Sequence, residues 1–148
     1  NIITTDGTYW YHAFTSSGTF TPATGTTLSC DALVIAGGGG GTNGNWGGGS
    51  GAGGLRSITG VSVTSATTVT VGAGGTVNGN NYSGVAGNPG NDSVFSTITS
   101  LGGGRGAGNG VGGKRPRFLP LALREKPPVG KSGRHLVAVL NVVRFSGN

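Results

Sequence analysis

Acidic residues are almost missing from this chain. Four carboxylates, Asp6, Asp31, Asp92 and Glu125, stand in 148 residues beside two histidines and one cysteine. Acid–base and nucleophilic catalysis need such groups paired at short range, and none of them lies at a telling spacing from another. No enzyme is expected. A metal centre needs several His, Cys or carboxylate ligands in one cluster, so neither metal nor cofactor is expected either. One cysteine excludes an intrachain disulfide framework. Cys30 stands beside an apolar run and reads as a small buried residue rather than a reactive thiol. No apolar stretch approaches the twenty or so residues of a membrane-spanning helix, and no signal-peptide pattern opens the chain, so membrane insertion is not expected. Methionine is absent. A chain that opens on Asn1 reads as a processed product or a fragment.

Charged residues make up 9% of the chain and hydrophobic residues 34%. The first figure is too low for a charge-solvated disordered chain and the second too low for an ordinary large core, so something other than side-chain packing must hold part of the fold. Glycine is what remains, with 34 residues. It concentrates in three runs: 37–54 (GGGGGTNGNWGGGSGAGG), 72–90 (GAGGTVNGNNYSGVAGNPG) and 102–113 (GGGRGAGNGVGG). Each ordered glycine costs about 0.5–1 kcal/mol more backbone entropy than alanine, so order must be recovered through other contacts. Two readings stand side by side. Such runs serve as flexible linkers, or they form a bundle of extended polyglycine backbones that satisfy one another's N–H and C=O groups. Recurrence of the run favours the bundle. Collagen is excluded, because the glycines keep no strict three-residue period and proline is sparse.

Short β-prone segments lead into and out of the glycine. Residues 9–14 (YWYHAF) alternate, with Tyr9, Tyr11 and Ala13 on one face and Trp10, His12 and Phe14 on the other, and Thr19–Thr21 reads as the second strand of a hairpin. Residues 28–36 (LSCDALVIA) end in a continuous apolar run, as in a strand covered on both faces. Leu55 to Ile58 lead out of the first run, and 67–71 (TTVTV) is wholly β-branched. Residues 93–101 (SVFSTITSL) read as one strand with Val94 and Phe95 in the core. The repeating unit is a β segment followed by a glycine excursion, with the excursions projecting as one mass from one end. The expected fold is all-β: a small β-sandwich with Gly-rich, polyglycine-II-like excursions and little or no helix.

After Gly113 the composition changes. Four of the six prolines lie at Pro116, Pro120, Pro127 and Pro128, and residues 105–148 carry nine Lys or Arg against Glu125, a balance of +8; residues 1–104 balance at −2. The division is therefore a Gly-rich β domain at 1–113, a basic Pro-rich arm or crossover at 114–134, and a C-terminal strand segment at 135–148 that completes the β domain beside the N-terminal hairpin. Residues 49–54 satisfy G-x-G-x-x-G, a chance match in such a tract with no helix pattern after it. Gly130-Lys131-Ser132 lacks the first glycine of a phosphate loop, since Glu125 occupies its place. Asn81-Tyr82-Ser83 and Asn91-Asp92-Ser93 match the glycosylation sequon, a frequent chance pattern. The basic arm could neutralise phosphate backbones, but only Phe118 accompanies it as a stacking group, so nucleic-acid binding is not expected.

Tyr11–Phe20 (YHAFTSSGTF), Leu33–Gly41 (LVIAGGGGG), Gly51–Arg56 (GAGGLR), Val69–Gly75 (VTVGAGG), Asn91–Phe95 (NDSVF) and Leu101–Gly104 (LGGG), in that order, resemble the glycine-rich domain of bacteriophage tail-fibre and tail-tip proteins. The basic segment 114–134 departs from that resemblance, where more glycine is expected. The resemblance implies a non-enzymatic virion protein at the host-contacting end, extracellular as assembled. Its implied partners are other virion proteins, further copies in an oligomer such as a trimer, and a bacterial surface receptor of protein or glycan. Recognition is expected at the loops 42–46, 78–83 and 85–91, through Thr42, Asn43, Asn45, Trp46, Asn80, Asn81, Tyr82 and Asn88, because exposed aromatics on a rigid base suit contact surfaces. Trp46 and Tyr82 have an alternative use, plugging gaps at the base of the bundle. A second expectation is a structural subunit of a capsid, tail or filament, with Lys114, Arg115, Arg117, Phe118 and Arg124 reaching a neighbouring subunit.

Overall fold

A computed structural model of the chain describes residues 1–42, 48–77, 84–108 and 135–139. Among these residues every regular element is a strand: β1 (Ile2–Thr5), β2 (Trp10–Phe14), β3 (Gly18–Phe20), β4 (Leu28–Ile35), β5 (Leu55–Val63), β6 (Thr67–Thr70), β7 (Ser93–Phe95), β8 (Ile98–Ser100) and β9 (His135–Val139). No described helix is long and apolar enough to cross a membrane. One sheet has the order β1-β2-β9-β4-β5 and the other β3-β6-β7-β8. The expected all-β sandwich is present.

β1 and β2 form the N-terminal hairpin, with Ile2 opposite Ala13 and Thr5 opposite Trp10. Asp6 builds the turn. Its Oδ1 accepts from the N–H groups of Thr8 and Tyr9 at 2.8 and 2.7 Å, its Oδ2 accepts from the Tyr11 hydroxyl at 2.7 Å, and Gly7 takes a φ of 90°. These bonds, led by the one from Tyr11, hold the Asp6 carboxyl below its ordinary value of 3.8. A depressed carboxylate pKa means that the charged form belongs to the folded turn. The turn is therefore fully supported above pH 3.8 and loses that support as pH falls through the lower, folded value. The protection of the Thr8 and Tyr9 amides, measured as exchange relative to the intrinsic rate at each pH, is expected to fall below that pH in the native chain. In Asp6→Asn this protection should show no such step, and a persisting step would refute the assignment.

The hairpin expected between residues 9–14 and 19–21 is not formed. β2 lies in the five-stranded sheet, whereas β3 pairs with β6 in the other, Gly18 opposite Val69. The turn at Ser16-Ser17 carries the chain from one layer to the next. Alternation marks a strand but does not choose its partner. Residues 93–101 also divide, into β7 and β8, joined through Ser96, whose φ of 55° turns the chain back so that Phe95 faces Ile98. β4 is covered on one face only: Cys30, Ala32 and Val34 are buried, while Leu33 and Ile35 are half-buried on the other side. Opposite it, β5 bulges at Gly60, whose N–H donates to Asp31 Oδ1 at 3.1 Å.

The C-terminal strand completes the sheet, but at its centre. β9 runs parallel to both neighbours, with His135 between Trp10 and Cys30 and Val139 between Phe14 and Val34. Residues 140–148 lie outside the described residues. Between the sheets Phe14, Cys30, Ala32, Val34 and Val63 from one side meet Phe20, Val69, Phe95 and Ile98 from the other. The Phe20 ring stands edge-on to Phe95 at 5.9 Å and to His12 at 5.0 Å.

From one end of this sandwich five glycine-rich runs project: 36–42 outward from β4, 48–54 back into β5, 72–77 outward from β6, 84–91 back into β7, and 101–108 outward from β8. They are extended, and lateral backbone bonds recur at every third residue. Ala36 and Gly39 donate to Gly54 and Gly51; Gly37 and Gly40 donate to Asn91 and Asn88; Gly48, Gly51 and Gly54 donate to Ala107, Gly104 and Leu101. Gly103 and Gly106 in turn donate to Gly37 and Gly40. A step of three is the signature of a three-fold polyglycine-II helix, which has no internal bonds and must find them sideways. The runs are therefore ordered, and 36–42 is the central one, bonded to all four others.

Glycine placement follows from that arrangement. A Cβ at Gly37, Gly39 or Gly40 would run into the carbonyl of Ala73, Gly104 or Thr76 respectively. On the runs 72–77 and 84–91 one face is blocked: Gly72 and Gly75 meet Asn91 and Asn88, and Gly87 and Gly90 meet Gly40 and Gly37. Ala73, Thr76, Asn88 and Pro89 occupy the open faces between them. A three-residue glycine period thus exists on these two runs and vanishes from the central one, which is enclosed on more sides.

Candidate functional site

The bundle has a base at the sandwich and a far end. At the far end the Thr42 hydroxyl donates to the Ala107 carbonyl at 2.7 Å, and Gly48 N–H donates to the same carbonyl at 3.0 Å. A Cβ at Gly108 would meet the Gly84 carbonyl. Four chain positions that are distant in sequence, near 42, 48, 84 and 108, are thereby clamped into one platform. These positions bracket the segments 43–47 and 78–83 and the departure of the chain at 109.

Of the residues expected in recognition, Thr42 is on this platform, half-buried and bonded. Asn88 is not. The expected loop 85–91 is instead a returning run of the bundle, because Asn88 N–H donates to Thr76, its carbonyl accepts from Gly40, and its side-chain amide donates to Thr76 Oγ1 at 2.8 Å. Its side chain lies on the exposed flank below the far end. Val77 and Val85, at 63% and 46% exposure, are the large apolar side chains nearest the platform edge. Asn43, Asn45, Trp46, Asn80, Asn81 and Tyr82 lie outside the described residues, as do the arm residues Lys114, Arg115, Arg117, Phe118 and Arg124.

The base of the bundle shows side chains whose role sequence reasoning missed. Where strand gives way to polyglycine, backbone N–H groups lose their ladder partners and need other acceptors. Ser17 Oγ accepts from Val71 at 3.0 Å, Ser93 Oγ from Gly72 at 2.8 Å, and Asp92 Oδ1 from Gly102 at 2.7 Å. Asn91-Asp92-Ser93 is thus a junction motif: Asn91 bonds the runs 36–42 and 72–77 through its backbone, Ser93 caps the second of these again, and Asp92 caps the run 101–108. Its signal in the sequence was position, a polar triplet between glycine and a strand. Ser93 is fully buried, so Ser93→Ala removes the hydroxyl acceptor of the Gly72 N–H and is expected to cost about 1–3 kcal/mol in a urea titration. Ser100 is equally buried, and its hydroxyl has no partner among the described residues. Ser100→Ala should therefore be neutral or stabilising in the same urea titration, and equal losses for the two variants would refute the cap.

Among the described residues the one thiol is not an activated nucleophile. Cys30 is fully buried, its Sγ donates to the Val61 carbonyl at 3.4 Å, and burial, with Asp31 beside it, pushes the thiol up to about 11. At neutral pH such a thiol offers little thiolate for attack. Among the described residues no three His, Cys, Asp or Glu side chains gather where a metal could be held.

No curated protein sequence matches the chain. A family model does, over residues 15–117, which begins directly after β2 and includes β3 to β8 and all five runs. With most of its length matched, and with the strand-and-run architecture to go with it, the chain belongs to the glycine-rich domain family.

Proposed function

We propose that this chain is a non-enzymatic component of a bacteriophage virion, in a tail fibre or tail tip, and that the far end of its bundle attaches the particle to a bacterial surface receptor. The observation that carries this reading is the platform itself: the Thr42 hydroxyl and Gly48 N–H share the Ala107 carbonyl, and Gly84 lies against the adjacent Gly108. The segments that leave it, 43–47 and 78–83, contain Asn43, Asn45, Trp46, Asn80, Asn81 and Tyr82. Polar and aromatic groups presented on a rigid base bind with little loss of conformational entropy, which is how adaptable recognition surfaces gain affinity. Among the described residues the runs cohere through main-chain groups.

Attachment is tested by labelling the full chain and titrating it onto a panel of intact bacterial strains, beside a variant with 42–46 and 78–83 replaced by Gly/Ser sequence. Saturable binding to some strains that falls at least about tenfold in the variant, a loss of about 1.4 kcal/mol, supports an adhesin with its site at the far end. Binding that survives the replacement moves the site elsewhere. Absence of binding to every strain, with assembly into shells or filaments, refutes attachment in favour of a structural subunit.

A further inference from the structure

β9 fills a gap that the rest of the chain leaves open. Without it the five-stranded sheet consists of two separate hairpins, β1 with β2 and β4 with β5, each turning a free edge towards the same slot. β9 satisfies both edges at once, over five residue pairs on each side. An edge reads backbone direction and register, and these are the same in every copy of the chain.

The strand is tied to the remainder by residues 109–134 alone, 26 in number. Fully extended, that length spans about 85 Å. It contains four prolines, and seven Lys or Arg against one Glu. The family match ends at residue 117, so the strand that closes the slot lies beyond the matched domain. Exchange of one element between identical chains keeps every ladder bond and gives up only the closure of a long loop, a term that changes slowly with length.

We propose that the slot between β2 and β4 is an acceptor site for a parallel strand, and that in the assembled state it takes the β9 of a second copy. Leu33 and Ala138 stand opposite one another in the β4–β9 register, so cysteines at the two positions report which chain supplies the strand. One full-length preparation carries Leu33→Cys and the other Ala138→Cys, both with Cys30→Ser, and the two are refolded together and oxidised. A reductant-sensitive species of twice the 14.4 kDa chain mass is expected in roughly half of the paired chains, the statistical share for a one-to-one mixture. If a chain carrying both Leu33→Cys and Ala138→Cys closes within itself while the mixture stays monomeric, the strand is supplied in cis and the proposal falls. If neither links, β9 does not lie beside β4 and it falls equally. A second pair guards against misfolding: wild-type chain, which provides Cys30, mixed with a Cys30→Ser chain bearing His135→Cys, the residue opposite Cys30 in the ladder. The same three outcomes decide it.

Discussion

Gly39→Ala is expected to lower stability by about 3 kcal/mol, the upper end of what overpacking costs, and to do so from a position with no side chain to lose. A Cβ there collides with the carbonyl of Gly104, and Gly39 N–H is already committed to Gly51. Neither neighbour is a flexible side-chain tip that could swing away. Both are main chain, held in turn by other runs, so relief must propagate through the bundle. Gly74→Ala provides the contrast. Its Cβ would sit 3.6 Å from the Gly38 carbonyl, an ordinary contact, and its φ is not in the left-handed region. Alanine there restricts the unfolded chain and is expected to stabilise by about 0.4–1 kcal/mol. Urea titrations of the two variants against the parent check the pair. Similar effects at both positions would mean that the runs are not packed backbone to backbone.

Phe95→Ala is expected to cost about 3–5 kcal/mol, by loss of burial and by the cavity left behind. Phe95 is fully buried, lies at the end of β7 and stands edge-on to Phe20, whose other side meets His12 of the opposite sheet. The ring therefore ties both layers together. Domains of this size carry about 5–15 kcal/mol in all, so the variant sits near the limit of folding, and Phe95→Leu, with less volume removed, should fall between. Comparing Phe95→Ala with Gly39→Ala also asks whether sandwich and bundle unfold together. One shared transition, shifted by either change, indicates a single cooperative unit joined through the Ser17, Asp92 and Ser93 caps. A bundle that keeps its amide protection in Phe95→Ala would show that it stands alone.

How much of this was legible in the residues can be traced element by element. Recurring glycine runs, each preceded by a β-branched or apolar segment, announced both the sandwich and the single projecting mass, because nothing else in a chain so poor in charge could hold order. The three-residue period was harder to see. Gly72 with Gly75 and Gly87 with Gly90 display it, but the all-glycine run 37–41 hides it, since two of its faces are blocked, at Gly37 with Gly40 and at Gly39, and the third, at Gly38 and Gly41, carries glycine although a side chain would fit. Apart from the last strand, expected beside the N-terminal hairpin and found paired with β2, strand partners were not legible. Alternation in 9–14 is equally compatible with pairing to β3 or to β1, and the Asp6-Gly7 turn signal that points to β1 carries its meaning only once Ile2 to Thr5 is taken as a strand. The loop expected at 85–91 failed for a related reason: Asn88 and Pro89 interrupt the glycine as loop residues do, yet they stand on an outward face where side chains cost the bundle nothing.

The central place of β9 has a consequence in time. During synthesis β2 and β4 leave the ribosome early, and β4 is complete at Ile35, but the strand that belongs between them arrives roughly a hundred residues later. At about 5–20 residues per second that is an interval of about 5–20 s, long compared with hairpin formation, which takes microseconds. The two hairpins and the glycine runs can therefore be in place while the sheet still lacks its middle. The last strand then closes a structure already formed around its vacancy, so translation order, and not local propensity, sets when the fold becomes whole.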